Sequence, residues 1–307
     1  MSNDRANGYS AFMPKLADAV RMYAPERWGQ VDRFRTLWPT TYKFRAREQR
    51  VLAGVENHFH KALTLLSISE NLLPALDGDE AELEEQGFTP ANNARNLAAV
   101  LEGVITELYS VIDCTAEMLH IIYGPTTTRF RKSTRGLFKD VDKFTGSFPE
   151  RLKILIRAAD WYGELRNIRD ELTHRDVGSC STDNDTGLVR YFHSSFWNGE
   201  RTEPIEDIFG WLRDKRDAVN VFIGTVFHEL NSTIVAGSVT QMCGMTKGRM
   251  LMRLLDAAQP IDFHNGTCLS ANWFEEEGEF RCPFADGCGA YQRKATLEQL
   301  QAAFPSG

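Results

Sequence analysis

No apolar run in the sequence approaches the roughly 20 residues that cross a bilayer, so a helical membrane protein is not expected and no membrane partner is read. The opening stretch, Met1-Ser2-Asn3-Asp4-Arg5-Ala6, lacks a charged-then-apolar leader, and no signal peptide is read. Cysteine is sparse: six residues scattered over 307 do not form the framework of a disulfide-stapled secreted domain. These absences point to a reducing cytoplasm, where the Asn-x-Ser/Thr triplets at Asn231 and Asn265 are chance matches. An excess of positive charge is also missing. With 35 Lys and Arg against 42 Asp and Glu, the net charge is -7, which argues against a broad nonspecific nucleic-acid coat but leaves room for a local basic site. Gly244-Met245-Thr246-Lys247-Gly248 lacks the Walker spacing, so no phosphate-binding glycine loop is read. There is no internal repeat and no low-complexity tract.

What is present reads as helix. Apolar residues recur at helical spacing from about Phe44 to Leu73, where Pro74 stops the pattern, and again from Thr89-Pro90 to Tyr123, where Gly124-Pro125 follows. A third long helix is predicted from Pro149-Glu150 to about Arg175, with Gly178 as its C-terminal cap, and a fourth from Ile205 to Ile234. The acidic run Asp77–Gly87 reads as a solvated loop, and Thr126–Ser147 as a basic segment carrying Arg129, Arg131, Lys132, Arg135, Lys139 and Lys143. Ser179–Gly187 reads as a polar loop, and Leu188–Trp197 as a strand or hairpin arm turning at Asn198-Gly199. After Gly237 the texture changes. A short helix is predicted over Met245–Ala258, hairpin turns at Asn265-Gly266 and Glu277-Gly278, and a closing helix over Ala295–Phe304. The expected fold is mainly α: a long-helix bundle over 41–236 and a small C-terminal α+β module over 237–307. An accessory segment over 1–40 would precede them, with a short helix from Ala11 to Tyr23.

The third helix carries the densest chemistry. At about 100° per residue, Trp161, Leu165, Ile168 and Leu172 form a buried stripe. Arg166, Asp170 and His174 fall on the opposite side, with Arg169 and Thr173 on the flank. A histidine titrating near neutrality beside fixed guanidinium charges suits proton transfer at a phosphodiester. The same spacing also describes a solvated helix face with i,i+4 ion pairs from Arg166 to Asp170 and from Asp170 to His174. Glu107 and Asp113, on the second long helix, are candidates to support His174 across the bundle.

Arg169-Asp170-Glu171-Leu172-Thr173-His174 resembles the Rx4-6H motif of HEPN domains: arginine, then Asn, Asp or His, then three free positions, then histidine. The all-helical stretch from Phe44 to Ile234, about two-thirds of the chain, is similar to the helical framework of that family. The resemblance implies a metal-independent endoribonuclease, needing no cofactor for catalysis, that acts on RNA in toxin-antitoxin or antiviral defence. It also implies a homodimer in which two motifs face each other, and a protein partner such as an antitoxin. Carried over, Arg169 would orient the scissile phosphate, His174 would move protons or stabilise the leaving group, and Asp170 would orient the histidine. Arg166, Asn167 and Thr173 are the substrate-binding candidates beside them. Asp170 stands where Asn is commoner and adds negative charge beside a phosphate. A non-catalytic scaffold or a nucleotide-binding, dimerising module is therefore the alternative.

A second constellation, His264-x3-Cys268-x13-Cys282-x5-Cys288, sets four zinc-type ligands in a region with little core of its own, and Cys243 could replace His264. A structural zinc and unligated thiols are the two readings. The gap between Cys282 and Cys288 is longer than is usual for a zinc knuckle.

Overall fold

The structure is a computed structural model; it describes residues 29–174, 176–194, 203–246, 249–259, 261, 264–273 and 282–303. The expected helix over Ala11–Tyr23 and the turns at Asn198-Gly199 and Glu277-Gly278 lie outside these residues. The protein is mainly helical, with small antiparallel sheets, and divides into two compact units, residues 46–223 and residues 1–45 with 224–307. The sequence pattern places its divisions at 40/41 and 236/237; the compact units divide at 45/46 and 223/224. Among the described residues, no helix is long and apolar enough to cross a membrane.

In chain order the helices are α1 (Gln30–Leu37), α2 (Ala46–Leu72), α3 (Leu76–Gln86), α4 (Asn92–Tyr123), α5 (Thr134–Lys139), α6 (Glu150–Arg157), α7 (Trp161–His174) and α8 (Ile208–Asn231). Short helices at Gly289–Gln292 and Leu297–Ala303 follow.

The middle unit is built on α2 and α4, which pack along each other. Leu52, Val55, Phe59, Ala62 and Leu66 of α2 are buried, as are Leu97, Leu101, Val104, Leu108, Val111, Ile112 and Leu119 of α4. This is the apolar stripe read from the sequence, and each fully buried Leu, Ile or Phe contributes about 1.5–3 kcal/mol. The expected loop over Asp77–Gly87 is instead α3. Asp77 and Asp79 lie in its first turn, where they complement the helix dipole, and Gly87, at φ 69°, ends it in the left-handed conformation. Asp79 also caps the next helix from outside: its carboxylate accepts from the amides of Asn93 (3.2 Å) and Ala94 (2.8 Å). That helix, α4, therefore starts at Asn92 rather than at Thr89-Pro90.

The predicted third long helix is two helices, α6 and α7. The Asp160 carboxylate accepts from the Trp161 amide (2.8 Å), and the chain restarts there as α7. The basic segment folds as β1 (Thr127–Thr128), α5 and β2 (Thr145–Gly146), over an aromatic cluster of Phe130, Phe144 and Phe148. After α7 comes a hairpin of β3 (Ser179–Thr182) and β4 (Val189–Phe192), so the strand pairing begins within the expected polar loop.

In the other unit, the expected helix over Met245–Ala258 is a hairpin of β5 (Ser238–Thr246) and β6 (Arg249–Asp256). Burial along β6 has period two: Leu251, Arg253, Leu255 and then Ala257 are buried, whereas Met250 and Asp256 are exposed. Met and Leu favour helix locally, but cross-strand pairing on this half-buried surface prevails. A third strand, β7 (Thr267–Cys268), pairs with β6. Residues 29–45 supply much of this unit's core. Phe34 packs edge-on against Phe227 at 5.6 Å, Leu37 clusters with Leu255, Ala257 and Ile261, and Arg33 donates to the carbonyls of Ala257 (2.7 Å) and Gln259 (2.9 Å).

Candidate active site

The α7 helix is held by Trp161, Tyr162, Leu165 and Ile168, which are buried, while Leu172 is only half-buried. Tyr162 stacks on Phe138 of α5 at 3.6 Å, and its hydroxyl meets that of Tyr109 on α4 at 3.3 Å. Burial pushes both phenols above their ordinary range, so neither serves as a base near neutrality.

This packing fixes Arg169. Its guanidinium lies over the Tyr109 ring at 4.5 Å and meets Asp113 of α4 at 3.8 Å. Its Nη1 donates to Asp170 (3.1 Å). The second carboxylate oxygen of Asp170 takes the Arg166 Nε–H, also at 3.1 Å. Asp170 is thus shared by two guanidiniums. The expected i,i+4 pair from Arg166 to Asp170 is present, but the pair from Asp170 to His174 is not. Both carboxylate oxygens already face cations, and the exposed His174 makes no hydrogen bond or ion pair among the described residues. Asn167 is exposed, and the Thr173 hydroxyl is turned back onto the Arg169 carbonyl (2.8 Å).

Of the two carboxylates expected to serve His174, Asp113 serves Arg169 instead. Burial raises its pKa, against the pull of the Thr134 hydroxyl bond and the Arg169 charge. Glu107 takes His58 Nδ1 and Lys61 Nζ, each at 2.6 Å. Burial works to raise the Glu107 carboxyl, but those two partners outweigh it and hold it below the usual carboxylate range. Tyr109 was missed by motif reasoning, and Asp113 was read as a support for His174 rather than for Arg169, although the i,i+4 spacing of the two on α4 marks one face. Nothing local signals that Thr134 reaches Asp113.

That last hydrogen bond brings the basic segment to the motif. Thr134 opens α5 and donates to Asp113, the residue that faces Arg169. Within the segment, Lys132 pairs with Glu117 (2.6 Å) and Lys143 with Asp140 (2.6 Å). Arg129, Arg131, Arg135 and Lys139 are exposed and make no ion pair among the described residues.

The chain after α7 is pinned to α4. Asp176 N–H reaches back to the Glu171 carbonyl (3.3 Å), one residue further than an α-helical bond, so the helix end is widened next to His174. The Glu102 carboxylate then accepts from the Gly178 amide (2.5 Å) and the Tyr191 hydroxyl (2.9 Å). Gly178 does not take the left-handed conformation of a helix cap. It is needed because a Cβ there would fall well inside 3.0 Å of the Tyr191 hydroxyl.

In the other unit, Cys243, Cys268, Cys282 and Cys288 line one cavity of about 160 Å³, together with Leu251, Arg253 and other residues. His264 does not line it; its carbonyl accepts from Arg293. All six cysteines are free thiols. Burial pushes the Cys243 thiol up to about 11. Among the described residues, no three His, Cys, Asp or Glu side chains already stand at ligating positions around one point.

Comparison with family models, with curated proteins and with solved structures returns no match.

Proposed function

We propose that the chain is a HEPN-like endoribonuclease that cleaves RNA without a catalytic metal, at a composite site formed by two copies of α7. The observation that carries this reading is the guanidinium of Arg169. It is clamped between Tyr109, Asp113 and Asp170, with the exposed His174 five residues further along the same helix. An arginine held in this way is pre-organised to meet a phosphate, and an exposed imidazole at the helix end is available to move a proton.

Five residues on an α-helix separate two side chains by about 140° and about 7.5 Å along the axis. Arg169 and His174 of one helix therefore diverge, and an antiparallel second copy would set the arginine of one beside the histidine of the other. RNA supplies its own nucleophile. The 2'-oxygen attacks phosphorus and the bond to the 5'-oxygen breaks, with His174 of one copy taking the 2'-hydroxyl proton and His174 of the other giving a proton to the 5'-oxygen. Arg169 balances the charge that develops on the phosphate. Arg129, Arg131, Arg135 and Lys139, joined to the motif through Thr134 and Asp113, would take the flanking backbone phosphates.

The test is cleavage of mixed single-stranded RNA by the purified chain. Arg169→Ala and His174→Ala should each lower the rate by at least ~10²-fold with fold and dimer retained. Products should end in a 2',3'-cyclic phosphate, DNA of the same sequence should survive, and EDTA should leave the rate unchanged. Full activity in either variant, or cleavage abolished by EDTA, would overturn the proposal. The non-catalytic alternative draws on a specific observation: both nearby guanidiniums are already engaged by Asp170. It predicts RNA or protein binding with no cleavage under any condition.

A further inference from the structure

We infer that Cys243, Cys268, Cys282 and Cys288 together bind one zinc ion in a four-thiolate site. This inference is independent of the ribonuclease reading, because it concerns the other compact unit and other residues. Four of the six cysteines in the chain converge on one cavity of about 160 Å³, although they come from β5, β7 and the two ends of the 282–288 turn. Chance convergence of a sparse residue type from three separated segments is improbable, whereas a tetrahedral metal site needs such an arrangement.

The segment Cys282-Pro283-Phe284-Ala285-Asp286-Gly287-Cys288 folds back on itself through Ala285 N–H to the Cys282 carbonyl (3.0 Å) and Cys288 N–H to the Phe284 carbonyl (2.8 Å). That fold returns Cys288 to the cavity wall despite the five-residue gap that is long for a zinc knuckle.

The same wall holds the guanidinium of Arg253, only 3% exposed, which donates to Gln241 (3.0 Å) and to the Asn265 carbonyl (3.1 Å). Four thiolates around a divalent ion leave a net charge of -2. A buried guanidinium on the cavity wall offsets half of it. The apolar cluster beside the cavity is small: Leu251, Cys268, Ala271, Ala285 and Tyr291, with Trp273, Cys282 and Cys288 packed against it. A core of that size gains much from a metal cross-link.

Binding exchanges four thiol protons for one zinc ion and forms four Zn–S bonds of about 2.3 Å. It requires side-chain rotation. Cys243, for example, now donates its S–H to the Leu251 carbonyl (3.3 Å) and must release it. Four protein ligands leave no open position, so the zinc is structural.

The experiment is elemental analysis of the full chain purified without chelator, followed by titration with a mercurial thiol reagent in the presence of a zinc-sensing dye. One zinc per chain is expected, released as four thiols react. Cys243→Ser and Cys268→Ser should each lower zinc affinity by more than the ~10–100-fold typical of losing an outer-shell partner. His264→Ala should keep full stoichiometry. The native-protein titration needs no variant to fold. Zinc at trace level, iron in its place, a Cys282–Cys288 disulfide in the native protein, or a His264→Ala variant that loses metal while Cys243→Ser keeps it would each overturn the inference.

Discussion

Asp170 divides its two carboxylate oxygens between Arg166 and Arg169, each at 3.1 Å, and so lowers the positive field that a phosphate would meet under the proposed function. Replacing it with asparagine keeps the shape and removes the charge. In a His174→Ala background, which prevents turnover, Asp170→Asn should bind single-stranded RNA about 2–5-fold more tightly, equivalent to ~0.5–1 kcal/mol for an exposed charge interaction. Fluorescence anisotropy at fixed salt reads this directly, and unchanged or weaker binding would remove Asp170 from the phosphate's surroundings. The identities of Arg166, Arg169, Asp170 and His174 were legible from spacing on one helix, because a single element sets their order. Their partners were not. Tyr109 and Asp113 come from a helix more than fifty residues earlier, Asp113 having been read only as a support for His174, and Thr134 from the start of α5, whose placement depends on tertiary packing. The expected carboxylate–histidine pair failed because two guanidiniums compete for Asp170 more strongly than one exposed imidazole does.

The elements with long, regular apolar periodicity were legible: α2, α4 and α8 lie within a few residues of the pattern. Where local and tertiary preferences conflict, the outcome departs from it. Asp160 interrupts a helix that periodicity alone would continue, and β5 with β6 turns helix-favouring Met and Leu into a strand pair. The acidic run forms α3 because its carboxylates fall at a helix N-terminus and beside another one. The tie after α7 is the feature of this scale with a direct test. Gly178→Ala would drive a methyl group into Tyr191, whose hydroxyl is held by Glu102. A loss of about 1–3 kcal/mol in stability is expected, measured by denaturant unfolding. Gly178→Ala should also raise amide exchange in β3 and β4. Wild-type stability in that variant would mean that the segment relaxes freely and does not position the end of α7.

At the scale of the whole molecule, one compact unit is continuous in sequence, 46–223, and the other is assembled from its two flanks. Val31, Phe34 and Leu37 are buried in the flanking unit, so residues 29–45 are part of its core and not an appendage. Removing residues 1–45 should therefore leave the helical unit with its far-UV signal while residues 224 onward become sensitive to protease. Resistance of that region to limited proteolysis would show that the early segment is dispensable. This organisation is hard to read from composition, since nothing local in Gln30–Leu37 names a partner some 190 positions away. It also imposes a schedule on the ribosome. Phe34 meets Phe227 only after about 190 intervening residues have emerged, a wait of ~10–40 s at roughly 5–20 residues per second. During that interval the aromatic segment from Phe34 to Phe44 lacks Phe227 and is left to ring contacts among Phe34, Trp38, Tyr42 and Phe44 themselves. The segment's packing partner is therefore absent until translation passes residue 227, and the last cysteine of the cavity, Cys288, emerges later still.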